Sequence, residues 1–241
     1  MSSSFVLVPG PWMGAWVWEH VTRGLRALGH EAYPITLSGL DDPLTDVSDI
    51  GPETHVDDVL SVLEKLDLRD AILVGHSYGG LVAAQVADRV PDRVVRTVFV
   101  EGFLPHDGQS MLHAFPRSQH TSELELITLH RGRWPVPDAE VMADGQDLTL
   151  TQARRLVERC VGHPGRTISE PVTMSRPLDQ LCASYVVCQL EHFGGLLSPD
   201  VQAMRDQAAW TFHSLDTGHW PMVSAPRELV SLLDDIAGQR G

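Results

Sequence analysis

Ala71-Ile72-Leu73-Val74-Gly75-His76-Ser77-Tyr78-Gly79-Gly80 is the stretch that decides the fold. Its four leading apolar residues read as a short strand buried on both faces. The glycine-rich segment after them is a turn, and the run from Leu81 to Asp88 continues as a helix. A G-x-S-x-G pentapeptide between a buried strand and a helix is a nucleophile elbow. Its glycines remove side chains for which the tight turn has no room, and the serine is left in a strained backbone state with Oγ exposed. The helix that follows aims its N-terminal N–H groups and dipole at that serine, which favours a developing oxyanion. A purely structural turn is the bland alternative for the same six residues.

Outward from this point the chain alternates. Phe5 to Val8 reads as a strand stopped by Pro9-Gly10-Pro11, and residues 15–28 carry Val17, Val21, Leu25 and Leu28 at helical spacing, closed by Gly29. Ala32 to Leu37 is the next strand, Val56 to Leu66 the next helix, and Val94 to Val100 a further strand. This rhythm means βαβ units and a parallel sheet. It breaks between residues 103 and 181, where one helix is expected at Leu150 to Val161. It resumes with a strand at Ala183 to Cys188, a helix from Pro199 to about Trp210, a strand from Thr211 to Leu215 and a last helix from Pro226 to Ile236. The expected architecture is a core of residues 1–102 and 182–241, with a parallel sheet of about six strands flanked by helices. Residues 103–181 are expected as an inserted, mostly helical cap.

A serine hydroxyl is barely ionised at neutral pH and needs a base. Of the 12 histidines, His219 lies in Asp216-Thr217-Gly218-His219-Trp220-Pro221, between the last strand and the last helix. In this order of elements the triad runs serine, acid, histidine, and His219 is the last histidine of the chain. His76 competes, yet as a neighbour of Ser77 in the elbow it is expected to point away from Oγ. The acid is expected in the loop after Cys188, where Glu191 precedes Asp200, which belongs to the Ser198-Pro199-Asp200 helix start. Glu101, just after the strand Val94 to Val100, is the alternative acid.

With 18 basic and 32 acidic side chains the formal charge is −14, which disfavours a nucleic-acid or anionic-membrane partner. No apolar run reaches the roughly 20 residues of a membrane span. Met-Ser-Ser-Ser lacks the basic region of a secretory signal, and Cys160, Cys182 and Cys188 form no C-x-x-C pair. These features make a cytoplasmic, monomeric or homodimeric protein the expectation, one that acts on a small molecule with neither metal nor cofactor. Arginines 131, 133, 154, 155, 159 and 166 concentrate positive charge on the cap, either as a solvated surface or as an attraction for an anionic substrate.

Phe5-Val6-Leu7-Val8, Gly10, Trp12, Gly14-Ala15-Trp16, the elbow, and Thr217-Gly218-His219-Trp220-Pro221 together resemble the α/β-hydrolase superfamily. More narrowly, they resemble its branch of small plant methylesterases and hydroxynitrile lyases. The likeness implies hydrolysis of a small carboxylic ester, a methyl ester or lactone, through Ser77, His219 and Glu191. It also implies an oxyanion hole of two backbone N–H groups. Tyr78 keeps the one after the nucleophile. The other comes in relatives from the position of Pro11, which has no N–H, so the second donor is expected from Trp12 or from water, or is absent. The lyase branch carries a lysine after the catalytic histidine and a threonine in the first loop, where this chain has Trp220 and Gly10. A cofactor-independent, non-hydrolytic reaction on a secondary metabolite (ring closure, decarboxylation or lyase chemistry) is the enzymatic alternative. A non-catalytic ligand-binding protein is the alternative of another class.

Overall fold

The computed structural model describes residues 2–189 and 197–239. Strands β1 (Ser4–Val8), β2 (Glu31–Pro34), β3 (Ala71–His76) and β4 (Val94–Val100) alternate with helices α1 (Glu19–Ala27), α2 (Pro52–Lys65) and α3 (Gly79–Arg89). The chain then leaves the sheet. It forms α4 (Arg117–Leu129), the strand pair β5 (Arg133–Trp134) and β6 (His163–Pro164), and the short helices α5 (Ala139–Ala143), α6 (Leu150–Val157) and α7 (Arg166–Ser169). It returns as β7 (Ala183–Cys188), α8 (Pro199–Met204), β8 (Trp210–Leu215), α9 (Pro221–Ser224) and α10 (Pro226–Gly238).

Six strands form one parallel sheet in the order β2-β1-β3-β4-β7-β8. β1 from Phe5 and β3 as far as Val74 are unbroken apolar runs because both faces are covered. Phe5, Leu7, Ile72 and Val74 point to the side of α1 and α10, against Val21, Leu25, Leu229 and Leu233. Val6, Val8 and Leu73 point the other way, against Val56, Val59 and Leu63 of α2 and Val82 and Val86 of α3. Each such fully buried side chain contributes roughly 1.5–3 kcal/mol, so truncating Leu73 to alanine costs about 2–5 kcal/mol. The far edge is held by an aromatic stack, with Phe99 5.3 Å from Trp210 and 6.2 Å from Tyr185.

Some expected boundaries shift. The segment 15–28 divides into a 3-10 turn at Ala15–Trp18 and α1. The second strand stops at Pro34, although Ile35 N–H still donates to Leu7 O at 3.1 Å. The helix opened by Ser198-Pro199 ends at Met204, and Trp210 already belongs to β8. In the inserted segment α4 was not legible. Only Ile127 on it is buried, while Leu124, Leu126 and Leu129 are exposed, so no apolar stripe marks it. Among the described residues, no helix is long and apolar enough to cross a membrane.

β1 sends the chain to β2 on one side and receives β3 on the other. This reversal opens a crevice at the carboxyl ends of the central strands, the place where open α/β sheets bind ligands.

Candidate active site

β3 lies between β1 and β4, buried along its whole length, and hands the chain to Ser77 at the crevice. Ser77 adopts φ +50°, a left-handed conformation that costs a non-glycine residue roughly 1–2 kcal/mol. The surroundings fix it there. Its N–H donates to Val100 O at 3.1 Å, and its carbonyl accepts from Gly80 N–H and Phe103 N–H, each at 3.0 Å. The elbow has no space for side chains: a methyl on Gly79 would lie 2.6 Å from Val8 O and 2.7 Å from Pro9 O, and one on Gly75 would strike Gly79 O. Gly10 packs on the same turn, where a methyl would come within 3.3 Å of Ser77 Cβ and 2.6 Å of His76 Nδ1.

His219 sits in the loop between β8 and α9. Both of its backbone polar groups are bound. Its N–H donates to Gln146 Oε1 at 2.6 Å, and its carbonyl accepts from His76 Nε2–H at 2.8 Å. Because a carbonyl only accepts, His76 carries its proton on Nε2. Burial, with the nearby His219, pushes the His76 imidazole well below its usual range, against the opposing pull of that hydrogen bond. The two rings lie 4.8 Å apart. His76 therefore braces the elbow to the His219 loop, with Nε2 turned to a backbone carbonyl.

His219 also lines a cavity of about 560 Å³ with Glu101, Phe103, Leu104, Met111 and His113. His106 and Asp200, 3.0 Å apart, stand on its wall. Glu191 lies outside the described residues. Glu101 follows β4 at φ +44°, is 8% exposed, and gives Val186 O an N–H bond of 3.1 Å. Its carboxylate accepts from Cys188 N–H at the end of β7. The alternative acid is thus a buried carboxylate on the wall of the cavity that His219 lines.

Trp12, the expected second oxyanion donor, has its N–H on His163 Nδ1 at 3.3 Å. Three groups of the inserted segment hold this residue, at φ +65°. Val161 N–H donates to Trp12 O at 2.8 Å, Trp12 Nε1–H donates to Trp134 O at 3.1 Å, and the two indoles lie 4.5 Å apart. Tyr78 stands at the N-terminus of α3. Its hydroxyl donates to His55 Nδ1 at 2.9 Å, and His55 Nε2–H donates to Ser38 O at 2.9 Å. Burial pushes the His55 imidazole down to about 4, although Ser38 and Asp58 favour its charged form. The buried Tyr78 phenol is pushed up.

Sequence reading missed His55, His163 and Gln146. None carries a motif, and each meets the site through a partner distant in sequence. Two of the inserted segment's arginines are committed to the protein itself: Arg133 donates to the carbonyls of Gly39, Asp42, Thr45 and Gly162, and Arg159 lies 4.4 Å over the Trp16 ring. Among the described residues, no cluster of three His, Cys, Asp or Glu side chains is placed to hold a metal ion.

A profile described as "Alpha/beta hydrolase family" matches residues 5–232. The chain is 37% identical over 117 residues to a carbendazim hydrolyzing esterase of Nocardioides sp., a match covering 48% of each protein. It thus spans about half the length of that relative. Methylesterase 7 of Arabidopsis thaliana is 34% identical over 256 residues, 97% of this chain and 95% of that one. Among solved structures, an extracellular alpha/beta-hydrolase from a Paenibacillus species superposes with a TM-score of 0.85 at 25% identity, over 97% of this chain and 98% of the other. It is described as sharing structural and functional homology with tobacco Salicylic Acid Binding Protein 2. Tomato Methylketone Synthase I, at 20% identity and a TM-score of 0.75 over the whole of both chains, shares the fold. With the elbow, the six-stranded parallel sheet and the matched span in hand, the chain belongs to the alpha/beta hydrolase family.

Proposed function

We propose that the chain hydrolyses small carboxylic esters, methyl esters or lactones, through an acyl-enzyme on Ser77. His219 takes the Oγ proton as Ser77 attacks the carbonyl carbon, then gives it to the departing alkoxide. Glu191 orients the imidazole, with Glu101 as the alternative. Tyr78 N–H, at the start of α3, takes the oxyanion. A water deprotonated by the same imidazole attacks the acyl carbon, releasing the acid and restoring Ser77. No metal or cofactor enters these steps.

The observation that carries this reading is Ser77 at φ +50° on the β3–α3 junction, tied through His76 to the loop of His219. Relatives named methylesterase and esterase support the ester class, and a cavity of about 560 Å³ suits a small substrate. The test is labelling with a fluorophosphonate. The adduct should map to Ser77 and vanish in Ser77→Ala. A folded protein that resists labelling, while binding small ligands in the cavity, would mark a non-catalytic binder.

One observation favours a second reading, non-hydrolytic chemistry on a metabolite in the same pocket. Pro11 has no N–H and Trp12 spends its own on His163, which weakens the stabilisation an ester's tetrahedral intermediate needs. Product analysis separates the two readings, since only hydrolysis consumes water.

A further inference from the structure

A histidine that shuttles a proton works only if its ring is held steady, and the His219 loop is held from two sides. Its carbonyl is bound by His76, from the elbow. Its N–H is bound by Gln146, which lies 73 residues away in the inserted segment. The fit at this second contact is close. A methyl on Gly218 would strike Gln146 Oε1 and come within 2.8 Å of Asp147 Oδ1, so the Gly218–His219 peptide lies directly against the 146–147 turn. That turn is rigidly placed. Gln146 N–H donates to Ala143 O at 3.1 Å at the end of α5. Met142 before it and Leu148 after it are buried in the core cluster that also contains Trp220, the neighbour of His219.

We infer that Gln146 is a positioning residue for the reaction. Its side-chain carbonyl fixes the backbone of His219, so the inserted segment sets where the imidazole stands relative to Ser77. This rests on the reading of His219 as the general base. A side-chain oxygen at 2.6 Å from a half-buried N–H orients the peptide as well as satisfying it. Small misplacements of a catalytic group cost as much as a hundredfold in rate.

Gln146→Leu removes the acceptor at similar volume. Gln146→Glu keeps an oxygen at the same reach and adds a negative charge beside the His219 loop. The other ionisable groups around His219 are the same in both variants: the proposed acid Glu191, His76 from the elbow, Glu101 just after β4, His113 on the shared cavity wall, Asp147 from the same turn and Asp216 on its own loop. The measurement is kcat and KM on a methyl ester against pH, with the rate of fluorophosphonate labelling and the melting temperature of each variant. Gln146→Leu should lower kcat and the labelling rate by about ten- to a hundredfold with KM within twofold. Gln146→Glu should restore most of kcat and move the acidic limb of the pH–rate profile to higher pH, because a new anion stabilises the imidazolium.

Equal kcat in Gln146→Leu overturns the inference, as does a Gln146→Glu variant with an unshifted limb. If Gln146→Leu fails to fold, the limb in Gln146→Glu decides alone. His219→Asn separates this inference from the reading beneath it. Full activity in that variant removes the base assignment itself, whereas loss of activity there with an indifferent Gln146→Leu removes only the role of Gln146.

Discussion

Replacing Pro11 with alanine should speed the proposed ester hydrolysis. The peptide that joins Gly10 to residue 11 runs beside the nucleophile, since a methyl on Gly10 would sit 3.3 Å from Ser77 Cβ. A proline there offers no hydrogen, and the next N–H along the chain is bound to His163 Nδ1. Tyr78 is left as the backbone donor on which the proposed mechanism relies. One oxyanion donor is worth roughly 3 kcal/mol, which at about 1.4 kcal/mol per tenfold is a factor of about a hundred or more. Pro11→Ala supplies that donor with no added bulk. The contacts of Trp12 with Trp134, Val161 and His163 hold the next residue in place, so the backbone path should persist. The loss of ring rigidity costs about 0.4–1 kcal/mol of folding stability, mainly through the unfolded chain, and this does not enter kcat. The assay is steady-state hydrolysis of p-nitrophenyl acetate alongside a methyl ester, with the melting temperature as control. An increase approaching a hundredfold in kcat/KM is expected. A folded variant whose kcat/KM stays within twofold of the parent on both substrates would refute the single-donor reasoning.

Three other outcomes are expected. Glu191→Gln should cut kcat by orders of magnitude with Glu101→Gln much milder; the reverse ranking in a kinetic comparison moves the acid to the end of β4. Below pH about 6.5 the unfolded chain takes up protons that the buried His55 refuses down to about 4, so stability should fall by about 1.4 kcal/mol per pH unit for such a group as pH drops through that window. His76 and His163 act in the same direction; urea titrations of His55→Gln should show the slope reduced by one proton, and an unchanged slope would contradict the assignment. Gly79→Ala drives a methyl against the carbonyls of Val8 and Pro9 and should cost at least about 1–3 kcal/mol in thermal unfolding, whereas a melting temperature equal to the parent's would mean the elbow yields.

The central strands could be read from the sequence because burial on both sides leaves them as apolar runs between turn residues. Phe5 to Val8 and Ala71 to Val74 are examples. The elbow was legible for a related reason, since its glycines answer clashes with backbone only a few residues away or in the adjoining strand. α4 gave no signal because its leucines face outward. The partner of the Trp12 N–H was hidden for a different cause. The direction of its N–H depends on His163, 151 residues further along, and no local pattern announces that partner. Gln146 is hidden in the same way, being a polar side chain in a turn until β8 brings His219 to it.

The contacts of Trp12 and His219 have a bearing on how such proteins are re-engineered. One way to change what such a scaffold binds would be to exchange the inserted segment for that of a relative. Here the donor segment would have to bring its own equivalents of Trp134, Val161 and His163 for the first loop, and of Gln146 for the last. A graft that matches only the cavity wall would leave Trp12 and the Gly218–His219 peptide without their anchors. The segment and the two loops form one structural unit, and chimaeras should exchange all three together or none.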